Sequence, residues 1–244
     1  MPESVRMWVE ILFNISYLTA VWGLVIAMNR RKDQVAVSDR PVAQRILWAF
    51  ALLALGDSGH VGFRVIAYAL GGLEARPVVL GVPVSLVGVG ALSTAVTVTV
   101  FYLLMVDVWR LRFQKPLGWF GWLLLAAGAA RLVVMAFPQN RWDLVIAPYG
   151  WSLLRNAFLV VQGLGVMYLI LRDAGAAGDR TFTWVGVMIA LSYTFYAPVI
   201  LWAQWVPMLG MLMIPKTCAY LVVAIIAYRA LYLGHPLTAA PRAS

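Results

Sequence analysis

The chain has 244 residues, 63% of them hydrophobic and 12% charged, with a mean hydropathy of +0.84, which excludes an ordinary soluble domain and marks an integral membrane protein. Its formal charge of +9 is not gathered into a basic cluster interleaved with aromatic residues on a soluble module, which excludes a nucleic-acid partner. A single cysteine, Cys218, excludes an internal disulfide and any metal site built on several thiolates.

Apolar stretches broken by charge, Pro and Gly predict helices near residues 7–28, 44–71, 78–106, 117–137, 149–172, 182–205 and 208–233. The first of these, from Trp8 to Met28, is long enough to cross ~30 Å of hydrocarbon and carries no cleavage signal, so it is read as a retained span. The connection NRRKDQVAVSDRPVA at 29–43 is basic, GGLEARP is short and nearly balanced, and DVWRLRFQKP is basic again. Arg30, Arg31, Lys32, Arg40, Arg45, Arg110, Arg112, Lys115, Arg172, Arg180, Arg229 and Arg242 fall on one side, 12 of the 19 basic residues, against Arg6, Arg76 and Arg141 on the other. The positive-inside rule then places the N-terminus outside and the C-terminus in the cytoplasm, and the excess charge is mostly topological. Trp8, Trp109, Trp119, Trp142, Trp151 and Trp205 lie near predicted helix ends, where indole rings suit the headgroup region. The expected fold is all-α, one seven-transmembrane-helix domain over residues 1–235, followed by a flexible cytoplasmic tail at 236–244.

Within the spans, charged side chains seldom face lipid, because each costs at least ~2.5–3.5 kcal/mol near a helix centre. In LALGDSGHVGFR of the second helix, Asp57, His60 and Arg64 stand at i, i+3 and i+7 and share one side. Glu10, Asn14 and Tyr17 repeat that spacing in the first helix. Trp151, Arg155 and Gln162 form a stripe in the fifth, Tyr193, Tyr196 and Gln204 in the sixth, and Lys216 and Tyr220 in the seventh. Counting from helix ends puts Asp57, Gln162 and Lys216 near the midplane and Glu10, Asn14, His60, Arg64, Arg131 and Arg155 in the outer half. Arg131 lies close enough to the outer interface to snorkel. Glu10 and Asp57 against Arg64, Arg131, Arg155 and Lys216 leave a surplus of about two positive charges, which invites an anion. Asp57 and Lys216 are expected to form a central ion pair, and Gly56, Gly59 and Gly62 to serve close helix packing.

Several motifs fail on inspection. GDSG is similar to the nucleophile loop of trypsin-like proteases, but Ser58 and His60 at i, i+2 point to different helix faces. Zinc-dependent seven-helix lipid hydrolases need several histidines, and this chain has only His60 and His235. The PQ of FPQNRWD is a two-letter match to PQ-loop and sugar-efflux transporters.

MLMIPKTCAY places Lys216 about halfway down the last helix, and KTCA resembles the KTSA around the retinal-bearing lysine of animal opsins. YAPVILW in the sixth helix is similar to the Tyr-Pro-Trp pattern of microbial rhodopsins. That resemblance implies retinal as cofactor, in a Schiff base on Lys216, with Asp57 or Glu10 substituting for the acid that the third helix lacks. FPQNRW, WSLLRN, SYTFYAPVIL and MLMIPKTCAY together resemble an uncharacterised family of bacterial multi-pass membrane proteins, which implies the bacterial cytoplasmic membrane and no particular activity.

The leading expectation is a receptor, sensor or carrier that binds a small or amphiphilic anion in an outward-facing polar cavity, with no cofactor. Its site would comprise Asp57, His60, Arg64, Arg155, Lys216, Glu10, Tyr196 and Tyr220, with guanidinium groups holding the anion. One alternative is a lipid-modifying membrane enzyme with Asp57 and His60 as acid and base. The other is the rhodopsin-like chromoprotein.

Overall fold

The computed structural model describes residues 3–79 and 81–235, with the side chains of 3–8, 10, 79 and 82 outside the description. The expected tail at 236–244 therefore lies outside the described residues. Seven long helices run α1 (Glu3–Arg31), α2 (Arg40–Ala69), α3 (Leu86–Phe113), α4 (Gly118–Ala136), α5 (Tyr149–Ala177), α6 (Arg180–Trp202) and α7 (Met213–Ala227). A π-helical turn, Tyr228–Tyr232, extends the last. All seven spans are long and apolar enough to cross a membrane, so the chain is a multi-pass membrane protein. Its outer surface confirms the inside-out logic: Leu12, Trp48, Leu55, Trp122 and Val133 are exposed, a distribution that lipid tolerates and water does not.

Short connections make consecutive helices alternate in direction. Gly178, in the left-handed conformation at φ +65°, closes α5, and Asp179 then caps α6 by accepting the Phe182 N–H at 3.1 Å. One boundary departs from expectation: the third helix starts at Leu86 rather than near 78. Pro77 and Pro83 withhold backbone donors, and Gly81 sits at φ +80°. The β-branched segment between them instead folds as a hairpin, β1 (Val78–Val79) against β2 (Val82–Pro83), and Ser85 caps α3 by accepting the Gly88 N–H.

The bundle has two unlike faces. One, called here the N-face, carries the start of α1 and the connections 70–85, 137–148 and 203–212. The opposite C-face is held by ion pairs. Arg112 bridges Asp39 at 3.0 Å and Asp179 at 2.8 Å, tying the starts of α2 and α6 to the end of α3. Arg45 and Arg110 share Asp107 at 2.6 and 2.7 Å. Trp109, expected at the lipid interface, is instead 2% exposed and donates to Asp173 at 2.7 Å, because its indole N–H finds a carboxylate between α3 and α5.

Between the faces lies a dry septum. Phe50, Phe101, Met105, Val166, Ile170, Ile189 and Ala224 are each at most 1% exposed and form part of one apolar cluster. The septum is about 13 Å thick, judged from the run of α7 between Tyr220 and Arg229. On its N-face side, Tyr102 and Tyr220 share a hydrogen bond between their hydroxyls.

Candidate functional site

A cavity of about 460 Å³ occupies the N-face half of the bundle, within the ~300–1,000 Å³ range of small-molecule sites. All seven helices contribute polar side chains to it, six of them as follows: α1 through Asn14 and Tyr17, α2 through Asp57, His60 and Arg64, α4 through Arg131, α5 through Arg155 and Asn156, α6 through Tyr193 and Tyr196, and α7 through Lys216, Thr217 and Tyr220. Helix α3 adds Thr94 beside Ala91, Ala95 and Val98. Asp57, His60, Arg64, Arg155, Lys216, Tyr196 and Tyr220, picked out by helical spacing, all line this one space. The side chain of Glu10 lies outside the described residues.

Helix packing explains how the second-helix stripe reaches the cavity. Gly56, Gly59 and Gly90 lie on the α2–α3 seam, and a Cβ on Gly56 would strike the side chain of Thr97. A Cβ on Gly90 would lie 3.1 Å from the His60 Cα, so the absence of that carbon lets the two backbones meet. Thr94 further donates to the Gly56 carbonyl at 3.0 Å. Gly62 has open space around it and does not serve this contact, so only part of the three-residue glycine repeat is packing. Ser58 is not among the cavity-lining residues and accepts from the Trp22 indole at 2.9 Å, and no hydrogen bond among the described residues joins it to His60 as a GDSG nucleophile would need.

The central groups do not pair as expected. Asp57 accepts from the Tyr17 hydroxyl at 2.9 Å. The Lys216 ammonium lies over the Tyr196 ring at 4.5 Å and the Tyr220 ring at 5.5 Å from the centroids, a cation–π arrangement. Among the described residues, no ion pair within 4.0 Å joins Asp57 to Lys216. Helical spacing fixes which face a residue occupies and leaves its partner across the bundle open; here Tyr17 on α1 and the tyrosines of α6 and α7 take the two roles. His60 presents a buried Nδ1 that has no hydrogen-bond partner among the described residues.

Arg131 does not snorkel. It is 2% exposed and turned inward, donating through Nε to the Arg155 carbonyl at 2.9 Å, and through Nη1 to the Ala95 carbonyl at 2.9 Å and to Thr99 Oγ1. Backbone and hydroxyl oxygens of α3 and α5 thus compensate a buried guanidinium that has no carboxylate partner among the described residues. Arg155 lies over the Trp142 ring at 4.5 Å and donates to Asn140 Oδ1 at 3.2 Å. Asn140, fully buried, returns its amide to the Val134 and Phe137 carbonyls and so fixes the connection at the cavity rim. Tyr196 donates to Asn156 Oδ1 at 3.2 Å, and Tyr193 to the Leu159 carbonyl at 2.8 Å.

Helical spacing put Tyr17 and Tyr193 on polar stripes without naming them as site residues, and it missed Asn156 and Trp142, which also line the wall. It overreached with Trp151, which stacks on Phe137, with Gln204, which reaches the Ala147 carbonyl, and with Gln162, which is buried against Gly128. Asp57, Arg64, Arg131, Arg155 and Lys216 give one carboxylate against four cationic side chains around a single cavity. No group of three or more His, Cys, Asp or Glu side chains among the described residues is placed to hold a metal ion. Comparison with protein-family models gives no match, and no curated protein or solved structure is significantly similar to the chain.

Proposed function

We propose that this membrane protein is a receptor, sensor or carrier whose N-face cavity binds an organic anion. The observation that carries the reading is the charge balance of the wall: Arg64, Arg131, Arg155 and Lys216 face one space with Asp57, and counting Glu10 as an added acid would still leave a positive surplus. Guanidinium groups are suited to carboxylate and phosphate because their planar N–H pairs match two oxygens at once. The septum beneath Tyr102 and Tyr220 closes the cavity towards the C-face, which favours a receptor or sensor over a carrier for this conformation. By the positive-inside rule, the N-face is the outside of the cytoplasmic membrane.

The test is thermal unfolding of the purified protein with hexanoate, inorganic phosphate or hexylammonium. An anion at 100 times its Kd should stabilise the protein by about 2.7 kcal/mol. Arg64→Gln and Arg155→Gln should lose that stabilisation while remaining folded. Equal stabilisation by hexylammonium, or an unaltered anion effect in both variants, would refute the reading.

A covalent chromophore on Lys216 is the second reading, favoured by an ammonium that faces the cavity between two tyrosine rings. Retinal added to the protein should then give a visible absorption band that Lys216→Ala abolishes. An enzyme built on Asp57 and His60 has less support, since the carboxylate is engaged by Tyr17 and no hydrogen bond joins it to the imidazole among the described residues.

A further inference from the structure

The cavity's polar groups fall into two layers. Arg64, Arg131 and Arg155 lie about one and a half helical turns inside the N-face ends of α2, α4 and α5, whereas Asp57 lies about three turns inside α2. Lys216 belongs with Asp57: it lies nine residues inside the apolar span Pro207–Tyr232 and packs on Tyr220 at the septum. The upper layer is purely cationic; the lower one balances an acid and a base.

The hydrogen-bonding needs of the lower layer are specific. One Asp57 oxygen is taken by Tyr17, and the carboxylate retains capacity to accept from the cavity. The Lys216 ammonium has three donors, and the two tyrosine rings beside it supply attraction but no lone pair along the cavity side. What fits between them is a group that donates to one and accepts from the other. A hydroxyl does both, while a methylene does neither and would leave both charges without polar contact.

We propose that the cavity selects a polyhydroxylated organic anion of the sugar-acid class, with its carboxylate among Arg64, Arg131 and Arg155 and its hydroxyls bridging Asp57 and Lys216. This rests on the anion reading above and adds the chemistry of the ligand's far end. A fatty acid would meet the upper layer equally well and fail at the lower one.

Calorimetric titration of the full chain in lipid nanodiscs with gluconate, hexanoate and sorbitol tests it. Gluconate and hexanoate have six carbons and one carboxylate each, and differ in hydroxyls; sorbitol keeps the hydroxyls without the charge. Gluconate should bind at least about tenfold more tightly than hexanoate, and sorbitol should not bind. Asp57→Asn and Lys216→Met should erase the preference of gluconate over hexanoate, bringing the ratio of the two affinities to about one whatever each variant does to either affinity, and a cooperative thermal unfolding transition in each variant shows that the fold is kept. Arg64→Gln should weaken both anions. Hexanoate binding as tightly as gluconate would overturn the sugar-acid proposal and leave the anion reading standing. Sorbitol binding as tightly as gluconate, or no binding by either anion, would overturn both.

Discussion

Arg131→Met removes a buried charge of nearly the same reach and so measures how the guanidinium is held. Three donated hydrogen bonds disappear, to the Arg155 and Ala95 carbonyls and to Thr99. Hydrogen bonds between membrane helices average about 0.6 kcal/mol, so the loss of three should destabilise the protein by roughly 2 kcal/mol. The loss stays that small because the acceptors are not orphaned. Both carbonyls lie inside helices, and Thr99 continues to donate to the Ala95 carbonyl at 2.7 Å. The assay is reversible unfolding in mixed detergent micelles followed by tryptophan fluorescence, with Thr99→Val and the double variant completing a cycle whose coupling should be about 0.6 kcal/mol. Anion binding should weaken in parallel, since the variant removes one cation of the cavity wall. Unchanged stability would refute the inward seat of Arg131. A loss above about 4 kcal/mol would refute the argument that its acceptors stay satisfied.

Two glycines in one helix should respond with opposite signs. Gly56→Ala drives a methyl group into Thr97 and should destabilise by about 1–3 kcal/mol, while Gly62→Ala meets open space and should stabilise by about 0.5–1 kcal/mol; the same unfolding assay ranks them, and an equal effect would undo the account of the α2–α3 seam. In the 137–148 connection, hydrogen bonds from Arg141 at 2.8 and 2.9 Å hold Asp143 below the usual carboxylate range. A carboxylate depressed in this way favours the folded chain above its unfolded pKa, and the effect fades as pH falls through the folded value; both side chains being about half exposed to solvent, global stability should barely register it. NMR titration should therefore show Asp143 protonating at lower pH than in Arg141→Ala, and coincident curves would contradict the contact.

What could be seen in the sequence depended on periodicity. Seven apolar runs gave seven helices, and charges at i, i+3 and i+7 gave the shared face of Asp57, His60 and Arg64, because side-chain direction along a helix is fixed by 3.6 residues per turn. Relations between helices were hidden. Arg131 was placed at the right depth but the wrong azimuth, since counting from a helix end does not say whether a side chain turns to lipid or to Thr99. Asp57 and Lys216 looked like natural partners by charge, yet the rotation of α1 brings Tyr17 to the carboxylate. The start of α3 failed for a local reason: the valines between Pro77 and Pro83 are as hydrophobic as a membrane helix and better suited to a hairpin.

The dry septum has an electrical consequence. With water in the polar cavity on one side and at the charged face on the other, the packed apolar layer beneath Tyr102 and Tyr220 is left as the insulator. A transmembrane voltage would then fall over about 13 Å instead of the full ~30 Å of hydrocarbon, more than doubling the field within it. Asp57 and Lys216 stand at its upper edge with opposite signs, so a polarised membrane would pull them in opposite directions, at up to about 2.3 kcal/mol per charge carried across 100 mV. Phe101 and Ile189 are fully buried in that layer and offer no polar group to an ion or a water chain, so a signal passing from cavity to C-face would travel as movement of helices.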